Sequence, residues 1–218
     1  MSSNAKANML RRAAQDIQPH MIVNLGIGLP TQLLPYLPKD FPVCLHSENG
    51  IAGIGPQVAY DDADRNLIDA GGAYISSISG ASYFDSATSF AIVRSGRLDL
   101  TVLGAFQVAA NGDLANWMIP GSFTPGAGGA IELAQKAKRV LVITMHTDKT
   151  GKPKIVETCS LPLTAKNCVS RIFTNMAVLD VTDKGLLLVE IAQDLSIKDV
   201  INATDAALII PQGEIPTF

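Results

Sequence analysis

Met21-Ile22-Val23-Asn24-Leu25-Gly26-Ile27-Gly28-Leu29-Pro30 is the stretch whose reading decides the fold. Its first five residues are mostly apolar and read as a short buried strand, after which the glycines turn the chain. Pro30, with a fixed φ suited to a helix start, leads into a segment whose Leu33, Leu34 and Leu37 share a face. Strand, turn and helix in that order open an α/β sheet. A second apolar run, residues 43–47, stops at Glu48-Asn49-Gly50. Gly53, Gly55 and Pro56 then predict several residues without regular structure. A carboxylate is thereby expected at a strand end.

Upstream, Met9, Leu10, Ala13, Ala14 and Ile17 recur at helical spacing over residues 5–18, and Pro19 closes the helix. Downstream come an acidic surface stretch at 61–66 and a strand near 73–79. A helix over 86–94 follows, with Asp85 as its cap and Gly96 at its end. Residues 98–108 and 114–119 flank Asn111-Gly112, which predicts an antiparallel hairpin. A loop at 120–130 with four glycines and two prolines feeds a helix at 131–138 and a strand at 139–145. The remainder reads as a strand at 155–161, a short helix after Thr164, and a strand at 177–181. An Asp183-Lys184-Gly185 turn, a strand at 186–191 and a helix capped by Ser196 complete it. No repeat or linker interrupts the sequence, so one domain over 1–218 is expected: an open α/β fold with a mixed, mainly parallel sheet flanked by helices.

Composition narrows the function. With 218 residues, 47% hydrophobic and 17% charged, the chain lies outside the range of disordered sequences. Seventeen basic residues against twenty acidic give a net charge of −3, which disfavours a nucleic-acid partner. Cys44, Cys159 and Cys168 make an odd set without C-x-x-C spacing, so neither a disulfide framework nor a zinc knuckle is expected, and a reducing cytoplasmic setting fits. The longest apolar runs fall short of the roughly 18 to 20 residues that cross a bilayer, so no membrane association is expected. The N-terminus has no long apolar region of a secretory signal; an organellar presequence stays open.

Individual motifs each carry two readings. Gly26-Ile27-Gly28 follows a strand as a dinucleotide fingerprint would, but Thr31 replaces the third glycine and Pro30 intrudes, which favours a plain tight turn. No Walker A triplet and no G-x-S-x-G elbow occurs. His20, His46 and His146 are scattered without metal-ligand spacing, so no metal site is expected. His46 lies two residues before Glu48 on the same strand face, where it either packs or tunes that carboxylate; Cys44 on that face packs. Glu48 itself is either a solvated charge or a functional group in the crevice that strand ends form in open α/β sheets. Gly126, Gly128 and Gly129 precede a helix and are either a cradle for an oxyanion or phosphate, or a flexible surface loop.

Four segments taken together resemble a known family: NLGIGLP (24–30), SENGIAGIGP (47–56), GDLANWMIPG (112–121) and GAGGAIEL (126–133). They are similar, in order and across residues 5–210, to the B subunit of family I coenzyme A transferases of the 3-oxoacid type, which have the NagB/RpiA-like fold. The resemblance implies that Glu48, the glutamate of the SENG motif, is the nucleophile. It also implies that Asn24, Gly26, Gly28, Asn49, Gly50, Gly126, Gly128 and Gly129 line the acyl and coenzyme A pocket, with coenzyme A as substrate and no permanently bound cofactor. The implied reaction moves coenzyme A between an acyl-CoA and a short-chain 3-oxo carboxylate by ping-pong kinetics through a glutamyl-CoA thioester. It further implies an A subunit as partner, in a heterodimer or heterotetramer. Bacterial B subunits of this kind begin with a helix like residues 5–18, which speaks against the presequence. A 3-oxoadipate or acetate CoA-transferase B subunit, or a non-catalytic module of the same fold binding coenzyme A or a sugar phosphate, are the alternatives. One departure stands out: many relatives carry lysine where Asp69-Ala70-Gly71-Gly72 has Gly72.

Overall fold

The apolar runs pair as strands in a computed structural model that describes residues 3–122, 124 and 126–218. In chain order the strands are β1 (Ile22–Leu25), β2 (Cys44–Ser47), β3 (Ile51–Gln57), β4 (Ile75–Tyr83), β5 (Leu100–Leu103), β6 (Gln107–Ala109) and β7 (Leu114–Ala115). There follow β8 (Val140–Ile143), β9 (Ile155–Val156), β10 (Arg171–Phe173), β11 (Ala177–Thr182), β12 (Gly185–Ile191) and β13 (Leu208–Ile209). The helices are α1 (Ser3–Ala14), α2 (Ser86–Arg94), α3 (Ala130–Lys136) and α4 (Ile197–Ala203).

Among the described residues, ten strands form one sheet in the order β13-β12-β11-β10-β8-β5-β1-β2-β3-β4. Its centre, β2-β1-β5-β8-β10, is parallel, and antiparallel strands extend it on both sides. These central strands are the short, almost fully apolar runs, as strands covered on both faces should be. Leu141 and Ile143 of β8 face a cluster with Met9, Leu10, Ala13 and Ala14 of α1. Val140 and Val142 face the opposite side, with Ala134, Ile172, Leu179 and Leu188. The parallel strands, numbered by their order along the chain, lie 2-1-3-4-5. Strand order therefore reverses between β1 and β5, the point at which open α/β sheets form their ligand crevice.

Several expectations hold. The α1 face of Met9, Leu10, Ala13 and Ala14 is buried, although the helix ends at Ala14 rather than 18. Asp85 caps α2 by accepting from the Thr88 N–H, and Ser196 with Asp199 forms a capping box on α4. Asp16, just past α1, accepts from Arg12 and Arg171, which also hold Glu190 and Asp180; this cluster ties the helix to β10, β11 and β12.

Elsewhere the structure corrects the sequence reading. Residues 51–57 form β3 despite Gly53, Gly55 and Pro56, because register shifts at Ala52/Ile54 and Ile54/Gln57 remove these residues from the regular ladder. The expected strand 98–108 is split: β5 lies in the large sheet, while β6 joins β7 and β9 in a separate three-stranded sheet. The hairpin at Asn111-Gly112 forms, but with only two residues in β7 and as a longer turn. Gly112 adopts φ 84° and its N–H donates to the Ala109 carbonyl, closing a bulged loop rather than a two-residue one. The segment from 30 is a 3₁₀ helix, Pro30–Tyr36. The strand at 155–161 shortens to Ile155–Val156. No helix follows Thr164: the Leu114 carbonyl takes the N–H groups of Thr164 and Ala165, and the Gly112 carbonyl those of Cys168 and Val169. Strands β10 and β13 are additions.

Candidate active site

Glu48 is the first residue beyond β2, where the strand's hydrogen bonding ends and the chain turns. Parallel pairing aligns Asn24 of β1 with His46 of β2. From there the Asn24 Nδ2 amide donates to Glu48 Oε2 at 3.0 Å and to the His46 carbonyl at 3.2 Å, so one buried amide holds the carboxylate against the end of its own strand. The Asn24 Oδ1 atom is buried without a partner among the described residues. Such an orphan costs about 1–3 kcal/mol, which stability alone does not repay.

His46 is buried beneath this carboxylate. Its Nε2 meets Ser89 Oγ of α2 at 3.0 Å, and its ring stacks on Phe84. Burial pushes its pKa below the ordinary imidazole value, against the opposing pull of Glu48. A neutral ring suits the arrangement: Nε2 donates to Ser89 Oγ, which donates onward to the Ser47 carbonyl, and Nδ1 faces the Asn24 amide. His46 thus supports the strand end from below and is held away from solvent.

Glu48 opens on a cavity of about 500 Å³ at the carboxyl ends of the central strands. Its wall is made by Gly26 after β1, Leu103-Gly104-Ala105 at the end of β5, Ile143-Thr144-Met145 at the end of β8 and the 126–130 segment entering α3. The reversal point between β1 and β5 is therefore where the cavity forms. Gly26 is there because its N–H bonds the Val102 carbonyl at 2.8 Å, and a Cβ would lie 3.1 Å from that oxygen. Gly129 reaches Glu48 itself: a Cβ there would stand 3.3 Å from Glu48 Cγ and 3.1 Å from the Phe90 ring.

Of the residues singled out from sequence, Glu48, Gly26, Gly126, Gly128 and Gly129 line this cavity, and Asn24 reaches it through Glu48. Gly28 is exposed outside the wall, with φ 95°. Asn49 donates its side-chain N–H to the Ile68 carbonyl, and Ser47 Oγ accepts from the Ala70 N–H, so the residues flanking Glu48 pin the 68–72 loop beside it. Gly50 is buried at φ 118°, where a Cβ would meet the Phe84 carbonyl at 1.9 Å; its role is to let β4 approach. Gly72 is exposed at φ 80°, and a Cβ there would meet nothing within 4 Å. Among the described residues no cluster of His, Cys, Asp and Glu suits a metal ion.

A model of the family described as Coenzyme A transferase matches residues 6–203. The chain belongs to the coenzyme A transferase family. This family member is 45% identical over 209 residues to the B subunit of a probable succinyl-CoA:3-ketoacid coenzyme A transferase of Bacillus subtilis, covering 96% of the chain and 97% of that protein. It is 47% identical over 200 residues to the B subunit of the 3-oxoadipate CoA-transferase of Acinetobacter baylyi, covering 91% and 92%. An acyl-CoA transferase from Escherichia coli O157:H7 shares the fold at a TM-score of 0.78 and 19% identity, over 98% of this chain and 43% of that longer one.

Sequence reasoning passed over Lys154. It lies in a polar run, Lys152-Pro153-Lys154, that reads as surface, yet its side chain turns into the transferase cavity. Its Nζ donates to Thr144 Oγ1 at 3.2 Å and to the Ala105 carbonyl at 3.4 Å, and burial lowers its pKa from the ordinary lysine value. Phe90, which walls Gly129 on α2, was likewise silent in the sequence.

Proposed function

We propose that this chain is the catalytic B subunit of a 3-oxoacid CoA-transferase, moving coenzyme A between an acyl-CoA and a short-chain 3-oxo carboxylate, with Glu48 as nucleophile. The observation that carries this is a strand-end glutamate held by a buried amide and opening on a glycine-walled cavity at the reversal point of the sheet. Such a transfer conserves the thioester, so it needs no ATP, metal or permanently bound cofactor if the protein can hold the activated acyl group.

A Glu48 oxygen attacks the acyl-CoA carbonyl, the carbon–sulfur bond breaks and the thiolate leaves, giving an acyl-glutamyl anhydride. The thiolate then attacks the glutamyl carbonyl, the first product acid departs as carboxylate, and a Glu48-CoA thioester remains. A second carboxylate runs the two steps backwards, a ping-pong cycle. Asn24 fixes the attacking oxygen. Backbone N–H groups of the 126–129 segment are the donors for the tetrahedral oxyanion, each worth about 3 kcal/mol in such holes. Gly129 lets that backbone close on Glu48 without a side chain between them.

The cavity meets solvent at the exposed Gly126 and Gly128, and both intermediates hydrolyse in water, so exclusion of solvent calls for a cover. An A subunit supplies it in this reading, in keeping with relatives that are themselves named as B subunits. The same reading places the protein, as one domain, in a reducing cytoplasm, in keeping with its three free cysteines.

Incubation of the A/B complex with acyl-CoA, followed by borohydride and peptide mass analysis, tests this. Reduction of a Glu48 thioester leaves an alcohol at that residue. A protein that binds acyl-CoA yet leaves Glu48 unmodified is instead a coenzyme A-binding module.

A further inference from the structure

The cavity that Glu48 opens on has nineteen lining residues among those described, and only two of them are charged: Glu48 and Lys154. The rest are glycines, alanines and larger apolar groups such as Leu29, Leu103, Ile143 and Met145, with Thr144 and Asn116 as the neutral polar ones. Asn116 is satisfied by the Gly104 carbonyl and the Thr164 hydroxyl and offers the cavity little. Lys154 differs. Two of its N–H groups make the long contacts to Thr144 and Ala105, and among the described residues no carboxylate oxygen lies within 4.0 Å of it. Lys149 and Lys152, nearby in sequence, point to solvent. Asp148 acts on this half-buried ammonium only from beyond ion-pair distance, so Lys154 is held at a cost that a bound anion in direct contact would relieve.

Resting on the transferase reading, we propose that Lys154 is the specificity-determining residue of this pocket: its ammonium receives the far carboxylate of a dicarboxylic acyl group whose other end reacts at Glu48. The carbonyl of an acyl thioester is neutral, so in a diacid acyl-CoA the far carboxylate is the single charge that the acyl chain carries into the cavity. Next to Glu48 that charge is repelled, and Lys154 offsets the repulsion in a setting of low dielectric where the pair is strong. A neutral acyl chain leaves the ammonium short of a partner. The pocket therefore discriminates by an unpaired charge as much as by a contact made.

The test compares succinyl-CoA with butyryl-CoA, its neutral four-carbon counterpart, in single-turnover formation of the Glu48-CoA adduct by the A/B complex. The ratio of the two rates within one preparation is independent of how much of a variant folds. Wild type is expected to prefer succinyl-CoA, Lys154→Met to lower that preference by about tenfold or more, and Lys154→Arg to keep it within about threefold. An unchanged ratio in Lys154→Met, including equal losses on both donors as a phosphate-binding lysine would give, overturns the proposal. So does a wild type that reacts with butyryl-CoA and not with succinyl-CoA. A wild type that forms no adduct with either donor removes the transferase reading itself.

Discussion

The side-chain amide of Asn24 lies 3.0 Å from the Glu48 carboxylate, reaching it from the neighbouring parallel strand. The same nitrogen holds the His46 carbonyl, so the last residue of β1 to face this side determines where the β2 terminus and its carboxylate sit. A hydrogen bond to a charged group is worth about 1.5–3 kcal/mol, and here it orients a reacting atom. Asn24→Ala should therefore lower kcat/KM by about 10- to 100-fold while the protein still folds and binds its A subunit. Steady-state kinetics beside a thermal melt checks this; full activity in a folded variant would show that Glu48 is positioned by other means.

Two glycines of the site are predicted to fail in different ways. Gly129 has an ordinary φ of −81°, so alanine there meets Glu48 Cγ and the Phe90 ring without backbone strain. Gly129→Ala should fold with a loss of stability below about 1.5 kcal/mol but lose most of its turnover. Gly50 combines φ 118° with a Cβ position 1.9 Å from a backbone oxygen, which has no flexible end to give way. Gly50→Ala should cost several kcal/mol, on the order of 3 or more, and be largely unfolded at 37 °C. Urea midpoints and adduct formation, measured on both variants, separate the two effects.

His146 should give the protein an acid-side loss of stability. Its ring is buried between Thr174 and Thr204, with Nδ1 and Nε2 at 2.8 and 2.9 Å from their hydroxyls, and burial lowers its pKa to about 4. A pKa below the unfolded value means that folding favours the neutral ring. The contribution is fully present above pH 6.5, falls as pH drops from 6.5 to about 4, and is exhausted below that. The fall amounts to about 3 kcal/mol. His46, also depressed by burial, acts in the same direction. Urea unfolding of wild type and His146→Gln from pH 7 to 4 should show the variant losing less stability across this window; parallel curves would contradict the assignment.

These consequences trace back unevenly to the sequence. The strand-end position of Glu48 was legible because apolar residues 43–47 stop at a charged residue followed by glycine, a local signal. The α2 cap at Asp85 was legible for the same reason. β3 was not, because glycine and proline weaken a strand locally and only the pairing with β4 shows that bulges absorb them. Likewise, residues 98–108 read as one apolar run, and nothing local marks Gly104 as the point where the chain leaves one sheet for another. At the site, Asn24 and Glu48 are 24 residues apart and meet only because β1 and β2 pair in parallel with a fixed register. Lys154 is the extreme case: charge among charges in sequence, it acquires meaning only when β9 and the end of β8 fold its side chain against the cavity wall.

The central claim is tested most directly by replacing the one side chain said to carry the acyl group. Glu48→Ala, purified with its A subunit and shown by melting to be folded, should retain acyl-CoA binding and lose transfer by at least about 10⁴-fold, since among the described residues no other carboxylate lines the cavity. Transfer at the wild-type rate in that complex would contradict the account.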